Sequence, residues 1–189
     1  MTSAKQRLTA TDWTEAALAA MAEQGTTGVN VEQLARRLGA TKGSLYHHFQ
    51  NREALLTAAL ARWEEMVAAD LAAAEAVADP RQGLEQATLV AVGSDINGFV
   101  DVALGASVAD PHVAATLQYV NQLRLDYLDQ VLRELGVPSG LSRQRAIGGL
   151  ATYLGLYQLQ HVTGERFDET QVRQFVGDAI AAMLEGTEN

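Results

Sequence analysis

Apolar residues recur along most of this chain at spacings of three and four, the period that places side chains on one face of an α-helix. The longest pattern runs from Arg52 to about Val77. Glycines and Asp-Pro pairs interrupt the repeat, as is typical of helix ends and helix starts. No alternating run bounded by hairpin turns is present. The pattern therefore predicts an all-α protein of about nine helices and no strands.

Capping residues divide the pattern into segments. Thr9 or Thr11 is placed to cap the first helix, and Asn30 precedes Gln33 by three residues, as in a capping box. The predicted helices cover residues 12–24, 31–38, 42–48 and 52–77, then two segments between 79 and 110 separated at Gly93-Ser94-Asp95, then 111–135, 142–162 and 169–185. The first three are short and the later ones are mostly long. This division predicts an N-terminal domain at residues 1–52 and a second helical domain at residues 53–189.

Composition narrows the chemistry. The 189 residues include no cysteine, which excludes disulfides, thiolate metal sites and cysteine nucleophiles and fits a reducing cytoplasm. Lys5 and Arg7 are not followed by an apolar run, so the N-terminus predicts neither a signal peptide nor a membrane span. We expect a cytoplasmic protein with no cofactor.

Charge is distributed unevenly. The formal net charge of −9 argues against a nucleic-acid partner, but residues 1–52 carry six basic and four acidic groups, and the remainder carries eight and 19. An acidic body would be repelled by DNA, so any DNA contact is expected from the N-terminal segment. The alternative is a solvated acidic surface with a chance basic end.

The second and third predicted helices have the geometry of a helix-turn-helix. They are short and are joined by a turn that begins at Gly39. Leu34, Leu38 and Leu45 are spaced to pack against the first helix. The start of the third helix is polar and has little side-chain bulk, so it suits insertion into a major groove. Lys42 and Ser44 are expected to reach bases or phosphates there.

The whole arrangement resembles the tetracycline-repressor (TetR) family. The resemblance covers about residues 8–60 and lies in Ala-Glu-Gln-Gly25, Gln-Leu-Ala-Arg-Arg-Leu-Gly39, Thr-Lys-Gly-Ser-Leu-Tyr-His-His-Phe49 and Asn-Arg-Glu-Ala-Leu-Leu56. It implies base contacts from Lys42, Gly43, Ser44 and His47. It implies phosphate contacts from Asn30, Thr41, Tyr46, His48 and Arg52, where family members often have lysine at the last position. His47 and His48 diverge by about 100° on a helix, which argues against a shared metal ion, and no metal site is expected.

The family resemblance implies that the C-terminal body dimerises and holds an inducer pocket. Two patterns support a homodimer independently: the last helix has an apolar stripe, and the eighth helix is apolar on more than one side and contains interior glycines. The expected interface residues are Gly148, Thr152, Gly155, Phe175, Ile180 and Met183. Packing of the eighth helix within its own chain is the alternative.

The pocket lining is predicted from large or polar residues of the body. These are Trp63, Met66, Phe99, Tyr119, Gln122, Tyr127, Tyr153, Tyr157 and His161. Gly98 and Gly105 share a face of the sixth helix and weaken it. We therefore expect a ligand to reposition this helix and, through the fourth helix, to move the two DNA-reading heads out of register.

These features predict a ligand-responsive repressor that binds a palindromic operator on double-stranded DNA as a homodimer and is released by a small-molecule inducer. An activator or a ligand-independent architectural DNA binder on the same fold is the second hypothesis. An enzyme is the third, but the sequence has no Ser-His-Asp arrangement, Gly-rich phosphate loop or zinc-protease motif.

Overall fold

The computed structural model describes residues 8–93 and 96–186, so Lys5, Arg7 and the predicted break at Ser94-Asp95 lie outside the described residues. All regular secondary structure in the described part is helical. The helices are α1 (Ala10–Gln24), α2 (Val31–Arg37), α3 (Lys42–Tyr46), α4 (Arg52–Glu75), α5 (Pro80–Gly93), α6 (Asn97–Gly105), α7 (Pro111–Glu134), α8 (Ser139–Thr163) and α9 (Glu169–Leu184), with a 3-10 helix at Gly25–Gly28. The prediction of an all-α fold is confirmed.

Side chains cap most of the helix starts that the sequence predicts. The Thr9 hydroxyl accepts a hydrogen bond from the Asp12 amide at 3.2 Å, and the Asp12 carboxylate accepts one from the Thr9 amide at 2.7 Å. Asp168 forms the equivalent capping box with Gln171 at the start of α9. Asn30, Asn51 and Asp110 cap α2, α4 and α7. These bonds satisfy backbone donors that no helix can pair internally, so the helix starts are set locally.

Two helices differ from the prediction. Helix α3 ends at Tyr46 rather than near His48, because the amides of His48 and Phe49 both turn back to the Leu45 carbonyl at 2.8 and 2.9 Å. Helix α8 begins at Ser139 rather than Ser142, with Pro138 at its N-cap. Proline suits a helix start because its φ is already helical and its missing amide has no partner to lose.

Two apolar cores hold the helices together. The first contains residues of α1 to α4 together with Val100 and Leu104 of α6 and Val113 and Val120 of α7. The second is built from the end of α4 and from α5, α7, α8 and α9. The predicted boundary at residue 52 coincides with the start of α4, and the first core continues across it. The N-terminal head is therefore packed on the body through α4 and α6.

Helix α6 contacts the head where α1 meets the 3-10 helix. Gly25 adopts a φ of 62°, and a β-carbon at this position would lie 2.9 Å from the Ala103 carbonyl oxygen of α6. The hydroxyls of Thr26 and Ser107 lie 3.2 Å apart. Only glycine combines this backbone conformation with such a close approach, so Gly25 allows α6 to touch the head directly.

Candidate nucleic-acid interface and ligand cavity

Helices α2 and α3 form a helix-turn-helix. The turn depends on Gly39, whose φ is 60°, and on the Ala40 amide, which donates to the Ala35 carbonyl at 2.8 Å. Leu34 and Leu45 are fully buried and belong to the same core as Trp13 of α1. This packing leaves the opposite face of α3 in solvent.

Most of the residues predicted to contact DNA lie on that exposed face or beside it. The exposed ones are Thr41, Lys42, Gly43, Tyr46, His47 and His48. Ser44 is half-buried. Tyr46 is 54% exposed, so its ring contributes little to the core, and its hydroxyl is free to approach a phosphate. A β-carbon on Gly43 would meet only the Thr41 hydroxyl at 3.7 Å, so nothing in the free protein requires glycine there.

Asn30 and Arg52 hold the head together. The Asn30 side-chain oxygen accepts hydrogen bonds from the amides of Glu32 and Gln33. The Arg52 guanidinium donates to the carbonyls of Val29 at 2.8 Å and Thr26 at 2.5 Å. Arg52 thus fixes the segment between α1 and α2 in addition to any phosphate contact.

Acidic residues of the head neutralise part of its positive charge. Lys42 forms an ion pair with Glu32 of α2, and the pKa of Glu32 is lowered by the hydrogen bond from Lys42. Arg37 pairs with Glu23 of α1, with one N–H···O distance of 2.9 Å. These pairs are exposed and leave little uncompensated charge for DNA.

A cavity of about 90 Å³ lies between α4, α5, α7, α8 and α9. Two of the predicted pocket residues, Tyr127 and Tyr153, belong to its wall together with Val67, Asp70, Leu71, Thr88, Arg124, Leu150 and Met183 among others. Phe99 and Tyr157 instead line a second cavity of about 260 Å³, beside Arg166. The cavity with Tyr127 and Tyr153 is the more apolar of the two and is called the main cavity below.

The remaining predicted pocket residues lie elsewhere. Trp63 is fully buried in the first core, and Met66 packs against that core. Tyr119 is 49% exposed, and Gln122 and His161 are also on the surface. These residues lie on the same helices as wall residues but on other faces of those helices. Residue size and polarity alone do not indicate which face of a helix lines a cavity.

A buried ion pair that the sequence analysis missed lies beside the main cavity. Arg124 of α7 donates from Nη1 to both carboxylate oxygens of Asp101 of α6, at 2.8 and 3.0 Å. The Tyr153 hydroxyl donates to the same carboxylate at 3.4 Å. The Arg124 guanidinium lies 5.7 Å from the Trp63 ring centre and 5.2 Å from that of Tyr153. The sequence signal for this pair is an acidic residue in the apolar stripe of α6 and a basic residue in that of α7.

Burial raises the pKa values of titratable groups in and beside this cluster. It raises the pKa of the Asp101 carboxyl, although the Arg124 charge and hydrogen bonds act in the other direction. It also raises the pKa of Tyr153 well above its ordinary value. Burial together with the charges of Glu75 and Glu134 raises the pKa of Tyr127 to about 12. Both tyrosines therefore present neutral hydroxyls at neutral pH.

The predicted interface residues divide into two groups. Gly148, Thr152 and Gly155 are exposed on α8, and Phe175 of α9 is half-buried. Gly148, Thr152, Phe175 and Met183 line an open groove of about 600 Å³ between α8 and α9. Ile180 is only 1% exposed and Met183 6%, because the apolar stripe of α9 is used first for the second core. Ile180 is therefore corrected from an interface residue to a core residue, and Met183 lines the groove floor as well as the wall of the main cavity.

The described residues place limits on other kinds of site. Within residues 8–93 and 96–186, no group of three or more His, Asp or Glu side chains is arranged to hold a metal ion. No single described helix has the length and apolarity to cross a membrane. The pair Pro80–Gly93 and Gly98–Gly105 reaches that threshold only jointly and is bent by 60°.

Known proteins with similar sequences and folds are transcriptional regulators and not enzymes. Residues 14–59 match the family of bacterial regulatory proteins of the tetR type. The HTH-type transcriptional regulator BetI 2 of Chromohalobacter salexigens is 30% identical over 185 residues, covering 90% of this chain and 86% of that protein. A transcriptional regulator from Rhodococcus has the same fold, with a TM-score of 0.78, 22% identity and coverage of 96% and 99% of the two chains. AibR, solved with isovaleryl coenzyme A and operator DNA, has a TM-score of 0.67 at 19% identity, with 91% and 96% coverage. The chain belongs to the TetR family of bacterial transcriptional regulators.

Proposed function

We propose that this protein is a ligand-responsive repressor that acts in the cytoplasm, binds a palindromic operator as a homodimer and is released by a small-molecule inducer. Residues 1–52 read the DNA, and residues 53–189 bind the ligand and the second copy. The observation that carries the ligand response is the position of α6. It supplies Asp101 to the cluster beside the main cavity and contacts the head through Ala103, and Ser107 in the turn after α6 adds a second contact.

The exposed face of α3 supports the DNA-binding role. Lys42 and Ser44 at its start are placed for base edges, and Tyr46 and His48 for the flanking phosphates. Because Glu32 and Glu23 compensate part of the positive charge of the head, one head is expected to bind weakly. Two heads on one operator double the number of phosphate contacts.

The glycines of α8 support the dimer. A β-carbon on Gly148 or Gly155 would meet no described atom within 4 Å, so the chain itself does not require glycine at these positions. Each interior glycine costs a helix about 1 kcal/mol relative to alanine. Leu159 and Val162 continue the exposed face at 64% and 71% exposure. A second α8 approaching closely along this face accounts for both features.

A route for the ligand response follows from α6. A ligand in the main cavity contacts Arg124, which is hydrogen-bonded to Asp101 of α6. A shift of α6 then moves the contacts that Ala103 and the nearby Ser107 make with the head. The two α3 helices then no longer match half-sites one helical turn apart. The AibR structure contains both a ligand and operator DNA, so another protein of this fold binds both classes of partner.

The DNA-binding part of the proposal is tested by Lys42→Ala combined with Tyr46→Ala. A duplex selected by the wild-type protein from a random-sequence library serves as the operator, and fluorescence anisotropy measures binding. We expect the double variant to bind at least about tenfold more weakly, because hydrogen bonds to charged groups contribute about 1.5–3 kcal/mol each.

The control for this test is Arg81→Ala, which removes an exposed cation of α5 away from the head. Both substituted head residues are exposed, so the thermal stability of the double variant is expected to remain close to that of the wild type. Unchanged operator affinity in the double variant would contradict α3 as the reading helix.

A further inference from the structure

The wall of the main cavity carries one cation, Arg124, among the described residues that line it. The surrounding wall is mostly aliphatic and aromatic, with Leu71, Leu150 and Met183 as examples. Arg124 is only 7% exposed, so its guanidinium is almost fully removed from bulk solvent. A buried cation requires partners for its charge and for its N–H groups.

Asp101 satisfies only part of this requirement. A guanidinium has five N–H donors, and both hydrogen bonds to Asp101 come from Nη1. The hydrogen bonds from Arg124 to other described residues come from Nη1, which leaves Nε and Nη2 for a ligand. Those two nitrogens present parallel donors, the geometry that binds both oxygens of a carboxylate. Arg124 therefore retains a complete carboxylate-binding edge.

The surroundings keep the guanidinium in place. It lies near the rings of Trp63 and Tyr153, at 5.7 and 5.2 Å from their centres, and both rings are buried. The Asp101 carboxylate also holds the guanidinium through its two hydrogen bonds with Nη1. A ligand thus meets a preorganised donor pair and does not have to order a flexible side chain.

We propose that Arg124 binds the carboxylate of a small apolar monocarboxylic acid whose hydrocarbon part occupies the main cavity. This inference rests on the proposed ligand response and specifies its ligand. The cavity volume of about 90 Å³ favours a short hydrocarbon chain over a bulky one.

Other ligand chemistries fit the site less well. A neutral ligand leaves the two free nitrogens of Arg124 without a charged acceptor. A cation is repelled by Arg124, and the Asp101 carboxylate is already bound to that residue. Asp70 is the second charged residue of the wall and is half-buried, so an ammonium ligand held by Asp70 is the competing outcome that the test includes.

Isothermal titration of the full-length protein tests the proposal with three probes of equal chain length: hexanoate, 1-hexanol and hexylammonium. We expect saturable binding of hexanoate at one site per chain, with affinity at least about tenfold above that of 1-hexanol. Equal binding of hexanoate and 1-hexanol, tighter binding of hexylammonium, or no binding of butanoate, hexanoate or octanoate would each overturn the proposal.

Two variants separate recognition by Arg124 from general damage to the core. Asp101→Asn keeps the cation and an amide oxygen that can accept from Nη1, and it removes a carboxylate that repels the ligand, so it is expected to bind hexanoate at least as tightly as the wild type does. The pair Arg124→Gln with Asp101→Asn removes both charges together, which avoids leaving a buried charge unpaired, and is expected to lose hexanoate binding. Equal affinities in these two variants would overturn the role of Arg124.

Arg133→Gln is the matched control, because Arg133 lies on the same helix with its side chain half exposed, and it pairs with Asp129 away from the cavity wall. We expect it to bind hexanoate as the wild type does. Operator release by hexanoate is measured separately and tests the proposed function alone. A carboxylate that binds through Arg124 without releasing DNA upholds the site and contradicts the repressor mechanism.

Discussion

The ion pair between Glu32 and Lys42 lies on the surface that we propose faces DNA. Both side chains are more than half exposed, at 58% and 54%. In the free protein, Glu32 therefore binds the Lys42 ammonium group and adds negative charge near the position expected for the DNA phosphates.

Glu32→Gln is accordingly expected to strengthen operator binding. Exposed ion pairs contribute about 0.2–1 kcal/mol, so breaking this one favours the complex by about 1.4- to fivefold in affinity. Fluorescence anisotropy at low salt measures the change, which should shrink as salt is added. Glu85→Gln, an exposed carboxylate of α5, is the control. Weaker binding of Glu32→Gln would show that Glu32 itself contacts the DNA.

Several site residues could be predicted from the sequence because their environment is local. Thr41 and Lys42 follow a turn that Gly39 fixes, and the structure exposes them; Tyr46, which we expected to be partly in the core, is exposed as well. The Arg124–Asp101 pair joins two residues that are 23 positions apart in the sequence and lie on different helices. Its partners depend on how α6 crosses α7, which no local pattern encodes.

At the scale of elements, the two glycines of α6 have different roles. A β-carbon on Gly98 would lie 2.1 Å from the Tyr157 ring, whereas one on Gly105 would meet no described atom within 4 Å. Tyr157 is buried, and its hydroxyl donates to the carbonyls of Ala91 and Val92 at 2.9 and 2.7 Å, so the ring is held in place. Gly98 is thus a packing requirement, in addition to any flexibility it gives α6.

Alanine substitution is expected to separate these roles. Gly98→Ala forces Tyr157 or α6 to move and should destabilise the protein by about 1–3 kcal/mol. Gly105→Ala meets no obstacle and should stabilise it by up to about 1 kcal/mol through helix propensity. Urea unfolding at one protein concentration measures both. Equal effects of the two substitutions would contradict the packing role of Gly98.

Helix positions were predictable where a cap or a stop residue lies beside the helix, as at Thr9, Asp110 and Asp168. Helix α8 begins three residues before the predicted start at residue 142, because Pro138 at its N-cap already begins the helix. Ser142, the expected start, is instead fully buried and donates to Asp129 of α7 at 2.5 Å. Its position is set by helix packing and not by capping.

At the scale of the whole molecule, the exposed face of α8 connects assembly to DNA binding. Thr152→Arg places a cation in the centre of this face and next to its own copy across a two-fold axis. We expect the variant to be monomeric in sedimentation-velocity experiments and to bind the operator with a shallower salt dependence, since fewer phosphates are neutralised.

The control for this substitution is Gln118→Arg, which adds the same charge to an exposed position of α7. Its assembly and its operator affinity are expected to match those of the wild type. A Thr152→Arg protein that remains a dimer would exclude this face of α8 as the interface.

The first core, which runs from α1 into α6 and α7, has a consequence for protein engineering. Chimeric regulators are made by joining the DNA-reading segment of one protein to the sensor segment of another. A junction at residue 52 of this chain would separate Trp13, Leu18 and Met21 from Val100 and Leu104, which pack in the same core. A functional exchange therefore requires a recipient whose own α4 and α6 reproduce these apolar contacts and the close approach at Gly25.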